Sequence, residues 1–221
     1  MIFTKEADFE SALIQQLSNH GWESECIEYP TEEALVKNWA DIIYKNNCSP
    51  DKLDKYPLTD SEMNQILMQI KMLKSPAMIN DWINGKVVTI KRDNSDDTMH
   101  LGKNVSLKIF DRNEIASGQS VYQIARQPQF KGLNDVSRDR RGDVMLLING
   151  MPVIHIELKR SGVPVDFAIN QIDLYNRRGM LSGLFSLIQI FVAMTPEETV
   201  YFANPGTGEA LKSEFQFHWA D

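Results

Sequence analysis

The sequence predicts an α/β fold in which a mixed β-sheet is flanked by helices. Apolar residues recur at helical spacing through much of the first 85 residues, which predicts several packed helices. Two apolar runs meet at Asn149-Gly150, the strongest short-range signal for a β-hairpin. The near-continuous apolar run at 187–194 predicts a central strand that is buried on both faces and is reached by a crossover helix. A hairpin and a crossover in one sheet make that sheet mixed.

The composition is typical of a globular protein. The 221 residues are 43% apolar and 24% charged, enough for one large domain or two small ones with a sizeable core. No apolar run is long enough to span a bilayer, and the N-terminus lacks a signal-peptide pattern, so we expect no membrane association. Cys26 and Cys48 are isolated, which predicts reduced thiols and a cytoplasmic location.

Charge is distributed unevenly along the chain. The formal net charge is −7, which argues mildly against a nonspecific DNA-coating protein. Residues 1–60 carry 12 acidic and 5 basic side chains, whereas residues 126–178 carry 9 basic and 6 acidic ones. The positive stretch contains the predicted hairpin, as an approaching phosphate group would require.

The first part of the chain predicts four helices that we interpret as scaffold. The first covers about 4–18 and ends before Gly21. Capping residues place the next starts at Thr31, at Thr59 and at Ser75-Pro76. Thr59 is followed by Glu62, which completes a capping box.

The remaining elements alternate between strands and connections. We predict strands at 86–92, at 104–111 and at 121–125, the last leading to Gln127, and then a basic loop over 131–141 that leads into the hairpin. After the hairpin, a helix runs from Pro164 to about Arg178, followed by the buried strand, a short strand at 198–203 and an aromatic segment at 215–219.

The second strand of the hairpin places several ionisable side chains on one face. Val153, His155, Glu157 and Lys159 alternate with the apolar residues between them, and Asp143 lies at the far end of the partner strand. Two carboxylates on neighbouring strands suit Mg²⁺, which prefers oxygen ligands. A nearby ammonium group can stabilise a hydroxide nucleophile or the charge that develops on a phosphate.

The register of the hairpin tests this interpretation. A two-residue loop would pair residue 148 with 151 and place Asp143 opposite Ile156, on the wrong face. A three-residue loop would pair 148 with 152 and place Asp143 opposite Glu157. A metal site therefore requires the longer loop or a β-bulge near Asp143.

Asp143 followed by Glu157-Leu158-Lys159 resembles the PD-(D/E)xK nuclease core. The wider run is similar to the N-terminal nuclease domain of the restriction (R) subunit of type I restriction–modification enzymes, in which Arg-Pro-Asp is typical and Gly142 here replaces the proline. The replacement implies altered loop stiffness with the chemistry retained. The resemblance implies a restriction-endonuclease-like core with added N-terminal helices. It also implies Mg²⁺-dependent DNA hydrolysis in host defence, with Asp143, Glu157 and the Leu158 carbonyl as metal ligands and Lys159 orienting or activating the attacking water.

The resemblance also implies supporting residues. Glu10 aligns with an extra acid on the first helix of these nucleases, with Glu6 one turn earlier as the alternative; a solvated helix acid is the simpler interpretation. Gln171 and Tyr175 lie at i and i+4 and resemble an accessory Gln-x-x-x-Tyr motif near the active site, although an ordinary amphipathic helix also produces this spacing.

In the family, the nuclease is coupled to an ATP-driven translocase and works with specificity and methyltransferase subunits. No Gly-x4-Gly-Lys-(Ser/Thr) sequence occurs here. We therefore expect 1–221 to be a single nuclease domain from a longer polypeptide, with a helical first part at 1–100 and the catalytic core at 101–221. ATP would act only through the missing motor region, and the specificity subunit would choose the DNA sequence.

Two other functions stay open. Another PD-(D/E)xK enzyme, such as a repair or junction nuclease, would carry the same hairpin. A noncatalytic nuclease-like module that binds DNA or assembles a complex would not need bound metal, and the hairpin charges would then form an exposed ion pair. We interpret His155 as a neutral structural histidine, and the arginines of the 138–141 loop as either solvated or in contact with DNA phosphates.

Overall fold

The computed structural model describes residues 2–73, 75–85, 87–110, 120–132, 139–206 and 208–219. The predicted mixed α/β fold is confirmed. The described residues form five α-helices: α1 Glu6–Asn19, α2 Glu32–Asn46, α3 Asp60–Lys71, α4 Pro76–Asn84 and α5 Asp166–Arg177.

The described strands, in chain order, are β1 Ile27–Glu28, β2 Val87–Lys91, β3 Asn104–Lys108, β4 Tyr122–Arg126, β5 Gln129–Phe130, β6 Arg140–Arg141, β7 Val144–Ile148, β8 Met151–Leu158, β9 Ile190–Met194, β10 Thr199–Ala203 and β11 Phe217–His218. Seven of them form one sheet in the order β1-β4-β7-β8-β9-β10-β11. The β1–β4 and β8–β9 pairs are parallel and the other pairs are antiparallel. Two small ribbons, β2–β3 and β5–β6, stand apart from it.

The predicted caps start three helices. The Thr31 side chain accepts a hydrogen bond from the backbone N–H of Ala34 at the start of α2. Thr59 and Glu62 form the full capping box of α3, and Ser75 caps α4 with Pro76 in its first turn. Each cap satisfies backbone donors that the helix itself leaves free. These local signals confirm the predicted helix starts.

The core has two parts, one on each face of the sheet. The larger part packs the sheet against α2, α3, α4 and α5. The smaller part lies under α1 and comprises Phe9, Ile124, Val144, Leu146, Ile156 and Leu158. Alternation along β7 and β8 sends successive side chains to opposite parts, so the hairpin is covered on both faces. A buried hairpin excludes water from polar groups placed on it.

Two predictions for the second half of the chain were wrong. The run at 187–194 is not one strand buried on both faces, because Gly183–Leu187 is a 3-10 helix and β9 begins at Ile190, which is 39% exposed. The core under α1 reaches β9 only through the partly buried Val192 and Met194. Arg140 and Arg141 are not loop residues, since they form β6.

Some predicted features lie outside the described residues: the start of the first predicted strand at Lys86, the end of the next one at Asp111, and 133–138 of the basic loop. Within the described part of the chain, no helix is long and apolar enough to cross a membrane.

Candidate active site

The turn of the central hairpin is short. Asn149 and Gly150 both have positive φ, 51° and 81°, and Ile148 pairs directly with Met151. This is the two-residue turn that right-handed strand twist favours. A Cβ on Gly150 would stand 2.9 Å from the Cα of Trp39 on α2, so this position has no room for a side chain. The longer loop that we expected is absent.

A β-bulge corrects the register. Leu147 pairs with Pro152, but Leu146 pairs with Ile154, so Val153 is an extra residue on β8. One extra residue returns the following side chains to the opposite face. The pairing then continues to Val144 and Ile156, which places Asp143 next to Glu157. The expected bulge is therefore present, although it lies near the turn and not beside Asp143.

Asp143, which is half-buried, and Glu157, which is fully buried, form a carboxyl pair. Asp143 accepts a hydrogen bond from the backbone N–H of Leu158 at 2.7 Å. The Glu157 side chain is fully buried, and neither of its oxygens has a hydrogen-bond partner among the described residues. Isolated buried charge is costly, so such a group either takes up a proton or binds a cation.

The pKa values of both carboxyl groups are raised, because burial removes water and few hydrogen-bond donors replace it. Burial raises the pKa of Glu157 to about 8, and the ammonium of Lys159 opposes the shift. Burial and the neighbouring Glu157 charge raise the pKa of Asp143 to about 7, against the Leu158 N–H and Lys159. The Glu157 charge raises the pKa of Asp143 because two negative charges repel in a site with little water, whereas the Asp143 side chain lowers the pKa of Glu157.

Lys159 lies at the edge of the site, directly after β8. Its Nζ lies 3.8 Å from Oε1 of Glu157 and donates a hydrogen bond to the Leu158 carbonyl at 2.8 Å. Its backbone N–H donates to Met194, so β9 holds the lysine in place. The Leu158 carbonyl, expected as a metal ligand, is thus already an acceptor, but a carbonyl oxygen has two lone pairs.

The donor set of this pair fits Mg²⁺. Two carboxylates and one carbonyl are all oxygen donors, and Mg²⁺ characteristically keeps several waters besides one or two carboxylates. In the described ranges, no three His, Cys, Asp or Glu side chains form a ready metal cluster. A resident Mg²⁺ would therefore depend on Asp143, Glu157, the Leu158 carbonyl and water.

A family model described as the type I restriction enzyme R protein N terminus matches residues 3–210. The chain belongs to this family. The resemblance seen in the sequence is thereby confirmed, and it extends over nearly the whole chain.

Among its relatives are three endonuclease subunits of type I restriction enzymes. The SsaAORF53P subunit of Staphylococcus saprophyticus is 31% identical and the SauCOLORF180P subunit of Staphylococcus aureus (strain COL) is 30% identical, each across 100% of this chain. The EcoprrI subunit of Escherichia coli is 27% identical across 99% of the chain. The chain spans 21% of the length of the staphylococcal relatives and 64% of the E. coli relative.

In this R protein N-terminal domain, Gln171 and Tyr175 lie beside β6, whose last residue, Arg141, precedes Asp143 by two positions. Gln171 donates to the Tyr175 hydroxyl at 2.6 Å, and that hydroxyl donates to the Arg141 carbonyl at 2.9 Å. Burial raises the pKa of Tyr175, so the hydroxyl keeps its proton and remains a donor. The two side chains thus fasten the backbone two residues before Asp143 to α5.

Two acidic residues of α1, Glu6 and Glu10, contact different basic side chains. Glu10 is 3% exposed and forms an ion pair with Arg126, with Gln127 Nε2 at 3.3 Å from its other oxygen. Glu6 instead lies 3.9 Å from the ammonium of Lys159 and is about half exposed. The structure therefore brings Glu6, the alternative of the two, toward Lys159 and ties Glu10 to the end of β4.

Sequence reasoning missed the residues that hold Glu10. Gln127 has a positive φ of 49° and donates its backbone N–H to the Asp143 carbonyl at 2.7 Å, while its side chain reaches Glu10. Arg126 pairs with Glu10 across a separation of 116 residues. The sequence signal was slight: the strand predicted at 121–125 leads to Gln127-Pro128, where proline restricts the conformation of the residue before it.

His155 also lies inside the site. Its ring is fully buried, and burial lowers its pKa to about 4, so the imidazole is neutral near pH 7. Nε2 lies 3.3 Å from Oε2 of Glu157. A fully buried ring with so low a pKa is a weak base, which agrees with the interpretation of His155 as a neutral structural residue.

Proposed function

We propose that the chain is the Mg²⁺-dependent endonuclease domain of a type I restriction R subunit, which hydrolyses DNA phosphodiester bonds. One observation carries the proposal: the bulge at Val153 brings Asp143 beside Glu157, whose buried oxygens are unpartnered next to the Lys159 ammonium. An ion pair kept only for stability would expose or satisfy these atoms. The pair instead has the features of an oxygen-donor cation site.

Each residue has a role that follows from its position. Asp143, Glu157 and the Leu158 carbonyl would hold Mg²⁺, which when bound supplies Lewis-acid activation of the scissile phosphate and of the attacking water. Lys159 orients that water and offsets negative charge that develops on the phosphate. Gln171 and Tyr175 keep the Arg141–Asp143 backbone in place. Ordered supporting contacts of this kind limit the motion of reacting groups.

The surface around the site suits a DNA backbone. Arg140, Arg141 and Arg160 are exposed and close in sequence to Asp143 and Glu157. Arginine side chains make bidentate contacts with phosphate and carry no base preference in doing so. We therefore expect this domain to contact DNA through phosphates, with little reading of the base sequence.

The rest of the proposed role belongs to a larger assembly. The relatives are named endonuclease subunits of type I restriction enzymes, and this chain corresponds to about a fifth of the staphylococcal ones. We propose that ATP acts through a separate motor region, that specificity and methyltransferase subunits are partners, and that the target is foreign DNA in the cytoplasm.

The direct test is metal binding measured by titration calorimetry with Mg²⁺ and Mn²⁺ at pH 8. We compare the wild-type chain with Asp143→Asn/Glu157→Gln, which keeps the shape of both side chains. A matched control, Glu25→Gln/Asp96→Asn, makes the same charge change at two exposed carboxylates. Activity is a less direct first test, because the other subunits and the motor contribute to cleavage.

We expect binding in the wild type and the control, and none in the Asp143/Glu157 variant. Lost binding with retained folding assigns the cation to the carboxyl pair. Equal heats for all three chains would contradict the proposal and favour a noncatalytic DNA-binding or assembly module. A complementary nicking assay on supercoiled DNA with Mn²⁺ then measures hydrolysis itself.

A further inference from the structure

The ring of His155 fills the space that a side chain at position 142 would need. A Cβ built on Gly142 would stand 2.4 Å from Cε1 of His155 and 2.9 Å from Cε2 of Phe130. Gly142 is buried, and its φ does not lie in the left-handed region. Backbone conformation therefore does not require glycine here. The requirement is steric, and the imidazole of His155 creates it.

Aromatic rings keep the imidazole from moving away. Its centroid is 5.5 Å from that of Phe130 and 6.3 Å from that of Phe191, both edge-on, and 6.2 Å from that of Tyr175. A ring packed on several sides in a dense core keeps one orientation. The orientation that Gly142 permits is the one that directs Nε2 toward Glu157.

The polar atoms of the ring and of the carboxylate have no other partners. Both ring nitrogens of His155 and both oxygens of Glu157 lack a hydrogen bond of good geometry within the described residues, although Nε2 and Oε2 are 3.3 Å apart. Contacts at such sites are often poorly aligned until the ligand binds. Carboxylates that bind a metal are themselves held by hydrogen bonds from neighbouring groups, which orient them.

We propose that His155 is a positioning residue for Glu157: its Nε2–H holds one carboxylate oxygen while the other faces the cation, and the missing side chain at Gly142 makes room for the ring. The inference rests on the proposed metal site and adds a residue outside its Asp, Glu and Lys set. His155 neither binds the cation nor touches the reacting atoms. It acts through Glu157.

The test separates this role from core filling with two substitutions at one position. His155→Leu fills similar volume without a donor, and His155→Gln restores an N–H donor on a flexible side chain. We measure Mn²⁺ and Mg²⁺ affinity by calorimetry and stability by urea denaturation. We expect His155→Leu to weaken metal binding by about 10–100-fold, and His155→Gln to recover part of that loss. Wild-type affinity in His155→Leu, or equal loss in both variants, would overturn the proposal.

Gly142→Ala tests the same contact from the other side. The added methyl group displaces the ring without deleting it, so we expect weaker metal binding in a chain that keeps Asp143, Glu157 and His155. In Gly142→Ala/His155→Ala the steric conflict is gone, so the stability losses of the two single changes should not add. Additive losses with unchanged metal affinity in Gly142→Ala would reject the coupling. If His155→Leu does not fold, Gly142→Ala decides alone.

These outcomes remain distinct from failure of the proposed function. If the wild-type chain binds no metal, the proposed metal site and this inference both fall. If the wild type binds metal through Asp143 and Glu157 but His155→Leu binds it equally well, only the inference falls.

Discussion

Two charged clusters in this molecule each combine two carboxyl groups with one basic side chain, but they differ in how completely their buried polar atoms are hydrogen-bonded. In the first, Arg92 lies between Glu62 and Asp97, with contacts of 2.6 and 2.8 Å to their oxygens. Glu62 also accepts from the backbone N–H groups of Thr59 and Asp93. In the second, the carboxyls of Asp143 and Glu157 share a lysine at the rim, and Glu157 has unpartnered oxygens.

The two clusters differ in how completely their buried polar atoms are paired. The first cluster, which we call the arginine cluster, joins α3, β2 and the turn after it. The Arg92 guanidinium, His100 and backbone N–H groups supply partners to its buried carboxyl groups. In the carboxyl pair of Asp143 and Glu157, the Glu157 oxygens have no hydrogen-bond partner among the described residues. That costs stability in the free protein and, under the proposed function, leaves these oxygens available to a cation. Glu157 is as deeply buried as Glu62, so burial of the glutamate does not distinguish the two clusters; the unpartnered oxygens of Glu157 do.

The largest expected effect comes from breaking the arginine cluster. Arg92→Leu leaves Glu62 and Asp97 buried without their cation, and we expect it to lower the free energy of unfolding by about 3–5 kcal/mol. The measurement is urea denaturation at pH 7. Arg177→Leu is the matched control, because Arg177 also pairs with an aspartate, at 2.7 Å, but is 62% exposed. Exposed pairs contribute at most about 1 kcal/mol. Similar losses in both variants would remove the distinction between the clusters.

Mg²⁺ should stabilise the protein through the carboxyl pair alone. A ligand that binds only the folded state at 100 times its Kd adds about 2.7 kcal/mol. We expect the wild-type Tm to rise with Mg²⁺ at pH 8, as measured by differential scanning calorimetry, and Asp143→Asn/Glu157→Gln to show no rise. Arg92→Leu, if folded, should keep the rise from a lower starting Tm. A rise that survives in the Asn/Gln variant would place the cation elsewhere.

The carboxyl pair should make the metal-free protein less stable as pH increases. Burial raises the pKa of Glu157 from 4.5 to about 8 and that of Asp143 from 3.8 to about 7. At pH values between the unfolded and the folded pKa of each carboxyl, the folded state binds more protons than the unfolded state. The free energy of unfolding therefore falls as the pH rises through this range. The stabilising contribution is fully present below the unfolded pKa values and is lost through the folded ones.

Glu157→Gln removes the larger part of this dependence. We expect the variant to be more stable than wild type at pH 8 without metal, by on the order of 2 kcal/mol, and to gain little at pH 4. Urea denaturation at several pH values with a chelator present measures the difference, with Glu25→Gln as an exposed control. A variant less stable than wild type at pH 8 would mean that the Glu157 charge is already compensated in the free protein.

Local signals in the sequence predicted most elements of this fold. The caps at Thr31, Thr59 and Ser75 act within one helical turn, and the Asn149-Gly150 turn needs only two residues with positive φ. Such features depend on neighbours in sequence, so the sequence alone is informative. The extent of β9 was predicted poorly because its burial depends on where α1 packs.

The site was predictable in composition and less so in geometry. Placing Asp143 opposite Glu157 required one extra residue in the hairpin, but nothing in the sequence marks Val153 as the bulged residue. The pairing of Glu10 with Arg126 and the contact of His155 with Gly142 join distant segments of the chain. They are decided by tertiary packing, which a single sequence does not display.

The smallest effect concerns the contacts that fasten β6, just before Asp143, to α5. Tyr175→Phe removes the hydroxyl that donates to the Arg141 carbonyl and keeps the ring that packs against Phe130. Losing one such hydrogen bond costs about 1 kcal/mol. We expect a loss of that size in urea denaturation, together with weaker Mg²⁺ binding, because the backbone before Asp143 is less constrained. Tyr201→Phe is the control, since Tyr201 is a partly exposed tyrosine on β10. A loss of stability with unchanged Mg²⁺ affinity would assign the Tyr175 hydroxyl to the scaffold and separate it from the carboxyl pair.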